Sequence, residues 1–272
     1  MSHGQNVRIN RAVKRWCLAS TVIVFGLTLP ILAAQSANID VGKTFKIQNV
    51  VSGSIGNRKL AVSDPVFRSE SIRADASSHG EIILNDNSKI VVGENSEISL
   101  DDFVVAGDGF QSATLNVAKG AFRFISGESP KGTFTIKTPL STIGVRGTIF
   151  DVYVGDGGVT SVVLLQGQVR VCSTNNKCLI AERSCDIIEV RSPDEIAEKP
   201  FLRSARRPAA EEKAAFSLLS DQGRFEKRFR AQTANCNSRS AQEKADSGNN
   251  NGGNGQDPGR GKGQDQGQGS TD

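Results

Sequence analysis

Between residues 41 and 190 the apolar side chains recur at every second position in short runs: Ile82 and Leu84, Ile90 and Val92, Ile98 and Leu100, Leu115 and Val117, Phe122 and Phe124, Phe134 and Ile136. A period of two places such residues on one face of an extended chain, so each run reads as a half-buried β-strand. Between the runs stand Asn85-Asp86-Asn87, Gly93-Glu94-Asn95, Gly107-Asp108-Gly109, Gly127-Glu128 and Asp156-Gly157-Gly158, residues that accept positive φ or form Asx-turns. This alternation of short strands and turns predicts an all-β fold, mainly an antiparallel sandwich or roll, with a β-helix-like roll as the alternative. Its strongest hairpin is FDVYVGDGGVTSVVLLQGQVRV, two long strands about a Gly-rich turn, the second ended by Gln166-Gly167-Gln168.

The N-terminus has a different character. Arg8, Arg11, Lys14 and Arg15 precede the charge-free run from Trp16 to Ala34, which closes on Pro30 and the small residues of AAQSA. A basic segment, an apolar segment and a small-residue end form the layout of a signal peptide over residues 1–37, with cleavage expected after Ala34, Ser36 or Ala37. The alternative is an uncleaved signal anchor, since about twenty apolar residues span a bilayer. Either reading puts the remainder outside the cytoplasm: periplasmic or secreted if cleaved, inner-membrane anchored with a periplasmic domain if not.

After residue 192 a charged connector (residues 193–244) is broken by Pro193, Pro200 and Pro208, and Ala209 to Leu219 reads as a short helix. Phe201, Leu202, Phe216, Leu218, Leu219, Phe225 and Phe229 are candidates to dock this region on the sheet. Residues 245–272 hold little beyond Gly, Asn, Gln, Asp and a few cations, which predicts a disordered tail.

Of five cysteines, Cys17 lies in the signal segment, leaving Cys172, Cys178, Cys185 and Cys236. In an exported chain four cysteines predict two disulfides with three possible connectivities. Cys172 ends one strand and Cys178 begins the next across a polar, turn-prone loop. That hairpin makes Cys172–Cys178 the first choice and leaves Cys185 for Cys236.

Sites of chemistry are sparse. The net charge of +4 is mild and the basic residues are spread out except at the two ends, so nucleic acid is not an expected partner. His79 is the sole histidine beyond the signal segment, in the turn Ser77-Ser78-His79-Gly80, where an exposed side chain is expected. Asp101-Asp102 and Glu211-Glu212 lack the convergence that acid–base work requires. No Gly-x-Ser-x-Gly elbow or phosphate loop occurs. Asn85, Asp86, Asn87 and Asp108 are oxygen-rich, but turn formation accounts for them better than calcium does. The expectation is therefore no catalytic residues, no metal and no cofactor.

Residues 137–154, KTPLSTIGVRGTIFDVYV, followed by VVLLQGQVRV, resemble the signature of the FecR domain, a periplasmic all-β module. Thr138, Pro139, Ile143, Val145, Gly147, Thr148, Phe150 and Val152, then Leu165, Gly167, Val169 and Val171, occupy the family positions. Upstream, Glu70, Ile72, Ile82, Leu84, Asn87, Ser88 and Ile90 fit its first strands, so the resemblance covers residues 60–172 of a domain expected over 38–192. Physically, Pro139 must end a strand, and Gly144 and Gly147 permit a bend around Val145-Arg146, with Arg146 expected in solvent. The resemblance implies a role in signalling or scaffolding. Family members that regulate sigma factors carry a helical cytoplasmic domain, for which residues 1–15 are too short. The expected function is an exported, non-catalytic module that binds an envelope protein or surface polymer. The alternative is a membrane-anchored signal-transduction protein, and a glycan-binding module is disfavoured by the single Tyr and the lack of Trp beyond the signal segment.

Overall fold

The computed structural model describes residues 38–199 and 215–232. Seventeen strands follow in chain order: β1 (Asp40–Gln48), β2 (Val51–Gly53), β3 (Arg58–Lys59), β4 (Pro65–Phe67), β5 (Glu70–Ala74), β6 (His79–Leu84), β7 (Lys89–Val92), β8 (Ser96–Ala106), β9 (Gly109–Ile125), β10 (Phe134–Lys137), β11 (Ser141–Val145), β12 (Ile149–Val154), β13 (Thr160–Gln166), β14 (Val169–Ser173), β15 (Cys178–Ala181), β16 (Ile187–Ser192) and β17 (Glu195–Lys199). β17 pairs with β16, so the sheet runs past residue 192, the boundary expected for the domain.

Hydrogen bonding sorts the strands into two sheets that share β9. Sheet A has the order β4-β1-β6-β7-β9-β12-β13-β16-β17. Sheet B has the order β3-β2-β5-β8-β9-β10-β11-β14-β15. All pairings are antiparallel except β9 with β10. The inner faces meet in one core. Sheet A contributes the lateral row Ile82, Ile90, Phe124, Phe150 and Leu164, and sheet B the row Leu100, Leu115, Ile136, Ile143 and Val171. The period-two runs thus supply one side of each sheet, as alternation requires.

β9 belongs to both sheets because it bends at Gly120. Lys119 is its last residue paired with β8, and Gly120, at φ +86°, is its first paired with β12. A Cβ at this position would lie 2.6 Å from Ser96 Cα, so only glycine permits the bend. Ser96 Oγ accepts the Ala121 N–H at 2.8 Å and holds the bend closed.

The other crossings between sheets also fall at residues of positive φ, among them Asn95, Gly147 and Gly167. Beyond residue 200 the described residues include the helical turn Ser217–Ser220 and two 3-10 turns, Gln222–Arg224 and Lys227–Phe229. Of the helix expected over 209–219, residues 209–214 lie outside the described residues, and Ala215 and Ser217–Ser220 are helical.

Candidate functional site

The signature residues build corners. β11 belongs to sheet B and β12 to sheet A, and the chain crosses between them at Arg146, Gly147 and Thr148. The return crossing, from β13 to β14, passes through Gly167. The two corners stack: a Cβ on Gly167, at φ +87°, would collide with the Gly147 carbonyl and reach 3.0 Å from Thr148 Cγ2. Gly147 has φ +69°, whereas Gly144 stays in β11 opposite Arg170. Arg146 is exposed. Thr138 Oγ1 accepts the Ser141 N–H at 3.0 Å and meets Thr160 Oγ1 of the facing sheet at 2.8 Å, while Pro139 turns the chain between β10 and β11. Val145, Phe150 and Val152 fill the core.

Cys172 and Cys178 are cross-strand partners in β14 and β15 and form a disulfide. Cys185 is also disulfide-bonded. Cys236, the partner expected for it, lies outside the described residues.

The outer face of sheet A is where charge is concentrated. One lateral row across its strands reads Lys46, Glu81, Val91, Arg123, Asp151, Val163 and Ile187. Arg123 is fully buried, and all five of its N–H donors are used. Nε and Nη2 grip the Asp151 carboxylate at 2.6 and 2.7 Å. The remaining three N–H groups reach Gln222 Oε1 at 2.7 Å and the main-chain carbonyls of Leu218 and Phe229 at 3.1 and 3.3 Å. Glu81, also fully buried, accepts the Glu226 N–H. Lys46 donates to the Arg224 carbonyl at 2.8 Å and pairs with Glu226 at 3.6 Å.

Residues 215–232 therefore lie over this face as a strap. Leu218, Phe225 and Phe229 pack with Val91 and Ala121, and Phe45, Ile83 and Tyr153 border them. Phe216, Leu219 and Ala231 pack on Val163, Leu165, Cys185 and Ile187. Of the aromatic and leucine residues expected to dock, Phe216, Leu218, Leu219, Phe225 and Phe229 do so, and Phe201 and Leu202 lie outside the described residues.

His79 corrects the expectation of an exposed turn histidine. It is the first residue of β6 and is 1% exposed, its ring edge-on to Phe225 at 5.3 Å and Nε2 3.4 Å from Glu81. The strap covers it, and nothing near His79 in sequence announces that cover. Arg123 and Asp151 were likewise missed. The available signal was a pair of opposite charges at outward positions of two otherwise apolar strands, AFRFI and IFDVYV.

Beside the strap opens a cleft of about 300 Å³ lined by Glu94, Asn95, Lys119, Tyr153, Asp156 and Ser217. Asp86 is occupied in its own turn, its carboxylate accepting the Ser88 N–H and hydroxyl at 2.9 and 2.8 Å. Among the described residues no group of three or more His, Cys, Asp or Glu side chains is placed to hold a metal ion. Among them, too, no helix is long and apolar enough to cross a membrane, and the apolar run 16–34 lies outside them.

The stacked corners and the two-sheet core agree with a sequence comparison, in which residues 70–170 match the family described as FecR protein. Residues 70–170 form a FecR domain. No curated protein matches the chain. Two crystal structures of a candidate anti-sigma factor from Parabacteroides distasonis ATCC 8503, at 1.65 and 2.50 Å resolution, are similar to it with 17% and 18% identity and a TM-score of 0.38 each. Each likeness covers 47% of this chain, which spans 58% of the length of those structures. In this chain the FecR domain contributes β5 to β13 and the first two residues of β14, and Arg123 and Asp151 lie within it.

Proposed function

We propose that the protein is an exported, non-catalytic FecR-domain module that binds another component of the cell envelope through its sheet surface. The observation that carries this reading is the outer face of sheet A. Four ionisable side chains, His79, Glu81, Arg123 and Asp151, are buried there beneath a segment that adds no strand to the sheet. Buried ion pairs contribute little to net stability and are best attested where they fix register or specificity, which suits a recognition face better than a plain core. Export rests on the basic, apolar and small-residue layout of residues 1–37.

The test is photocrosslinking in the producing cell, with a photoreactive amino acid at Asn95, exposed beside the strap, or at Arg228, exposed on the strap itself. A discrete adduct with one envelope protein or polymer, recovered from the periplasmic fraction, is expected. Recovery from the cytoplasm, or no adduct at either position, overturns the reading. The FecR domain also favours a second reading, a membrane-anchored signalling protein related to sigma-factor regulators. Under that reading the chain retains residues 1–37 and sediments with the inner membrane.

A further inference from the structure

The polar contacts of residues 215–232 with the sheet run mainly to their backbone. Lys46 and Arg123 donate to the carbonyls of Arg224, Leu218 and Phe229, and Glu81 receives the amide of Glu226. Contacts of this kind read the path of a chain more than its side chains. Side-chain recognition comes from apolar anchors, with Phe216, Leu219 and Ala231 packed beside Cys185 and three more over Val91 and Ala121. Phe225 sits edge-on to His79 and 5.8 Å from the Arg123 guanidinium, Phe229 stacks on Phe45 at 5.6 Å, and Leu218 is buried between strands and strap. Main-chain hydrogen bonds combined with a few apolar pockets are the physics of peptide recognition.

The attachment is also separable. The strap forms its own turns: Arg230 donates to the carbonyls of Phe225 and Gly223, and Ala231 N–H donates to Gln222 Oε1. It shares no β-ladder with either sheet. Sheet A ends at Lys199, and residues 200–214 separate it from the strap, a length of chain that reaches at most about 50 Å when extended. That lets the strap swing out from its Lys199 side while every strand remains paired, its far end kept within reach by the disulfide of Cys185, for which Cys236 is the expected partner.

We infer that the outer face of sheet A is a peptide-recognition face, which residues 215–232 occupy in cis. Its partner is a segment of another envelope protein that takes up short helical turns as the strap does, with two aromatic anchors about four residues apart and free backbone carbonyls to take the Arg123 and Lys46 donors. The inference rests on the reading of the protein as a binding module and specifies where it binds. The strap competes with the partner, so apparent affinity is reduced by the fraction of time the face is covered.

The probe is a fluorescent synthetic peptide of residues 215–232, titrated by anisotropy into the full-length protein and into its Phe225→Ala/Phe229→Ala variant, each checked by circular dichroism. The peptide is expected to bind the variant at least tenfold more tightly than wild type, and a peptide with Ala at both Phe positions is expected to bind neither. Equal binding to both proteins, or binding to neither, overturns the inference. So does loss of the β spectrum in the variant, which makes the strap part of the core, or a wild-type dimer abolished by the variant, which makes a second copy the occupant. A partner crosslinked in cells with equal yield from wild type and variant leaves the binding module standing and moves its site off this face.

Discussion

Arg123 concentrates the energetics of the outer face in one side chain. A guanidinium removed from water needs every donor matched, and here two serve Asp151 and three serve the strap. Arg123→Ala leaves the Asp151 carboxylate without its counter-charge, so the substitution is predicted to cost on the order of 3–5 kcal/mol in chemical denaturation. Arg123→Met combined with Asp151→Leu removes both charges and is predicted to recover most of that loss. A double variant as unstable as the single one would show that packing, and not the uncompensated charge, is what Arg123→Ala disturbs. Lys89 shows the same physics at the edge of the strap. Burial, with Arg228 acting in the same direction, holds its ammonium below the ordinary lysine value of 10.5, against the opposing pull of Asp86 and Glu128. The folded chain then releases this proton at a lower pH than the unfolded chain does, so the Lys89 contribution to stability rises with pH between the two values. Denaturation midpoints of wild type and Lys89→Met should therefore differ at pH 7, with the variant higher, and converge toward pH 10. A gap of constant size would contradict this.

At the scale of elements, the fold turns on its corners. Gly167→Ala forces a side chain into a left-handed conformation and into the Gly147 carbonyl, so a loss on the order of 3 kcal/mol is predicted, measured as a fall in the denaturation midpoint. A change below about 0.5 kcal/mol would mean that the stacked corners relax freely. These corners were legible in the sequence. Gly147 and Gly167 stand where apolar alternation stops and restarts, and a bend requires a residue free of Cβ constraints. The strands that carry Ile82, Ile90, Phe124 and Phe150 were readable for the same local reason, and so was the hairpin that brings Cys172 to Cys178. The division of β9 between two sheets was not. Gly120 resembles any other strand glycine until Ser96 is seen packed against it. Burial of His79, and the pairing of Arg123 with Asp151, depend on a cover supplied from far along the chain. Local periodicity holds no information about such a partner.

For the whole molecule, export and cover are separate claims. Mature protein from the periplasm is predicted to begin between Gln35 and Asn38, as read by N-terminal sequencing. Intact Met1 recovered with the membrane pellet would favour the anchored form. The central claim is that residues 215–232 form a separable strap, fastened to a sheet whose strand pairing is complete without it. Amide hydrogen exchange followed by mass spectrometry tests this most directly, comparing the full-length protein with its Phe225→Ala/Phe229→Ala variant. In wild type the amide of Glu226, bonded to Glu81, should exchange slowly along with its neighbours in the strap. In the variant, residues 215–232 should exchange at rates near those of an unfolded chain while β9 and β12 keep their protection. If β9 and β12 lose protection together with the strap, or if the strap keeps its own, the account is contradicted.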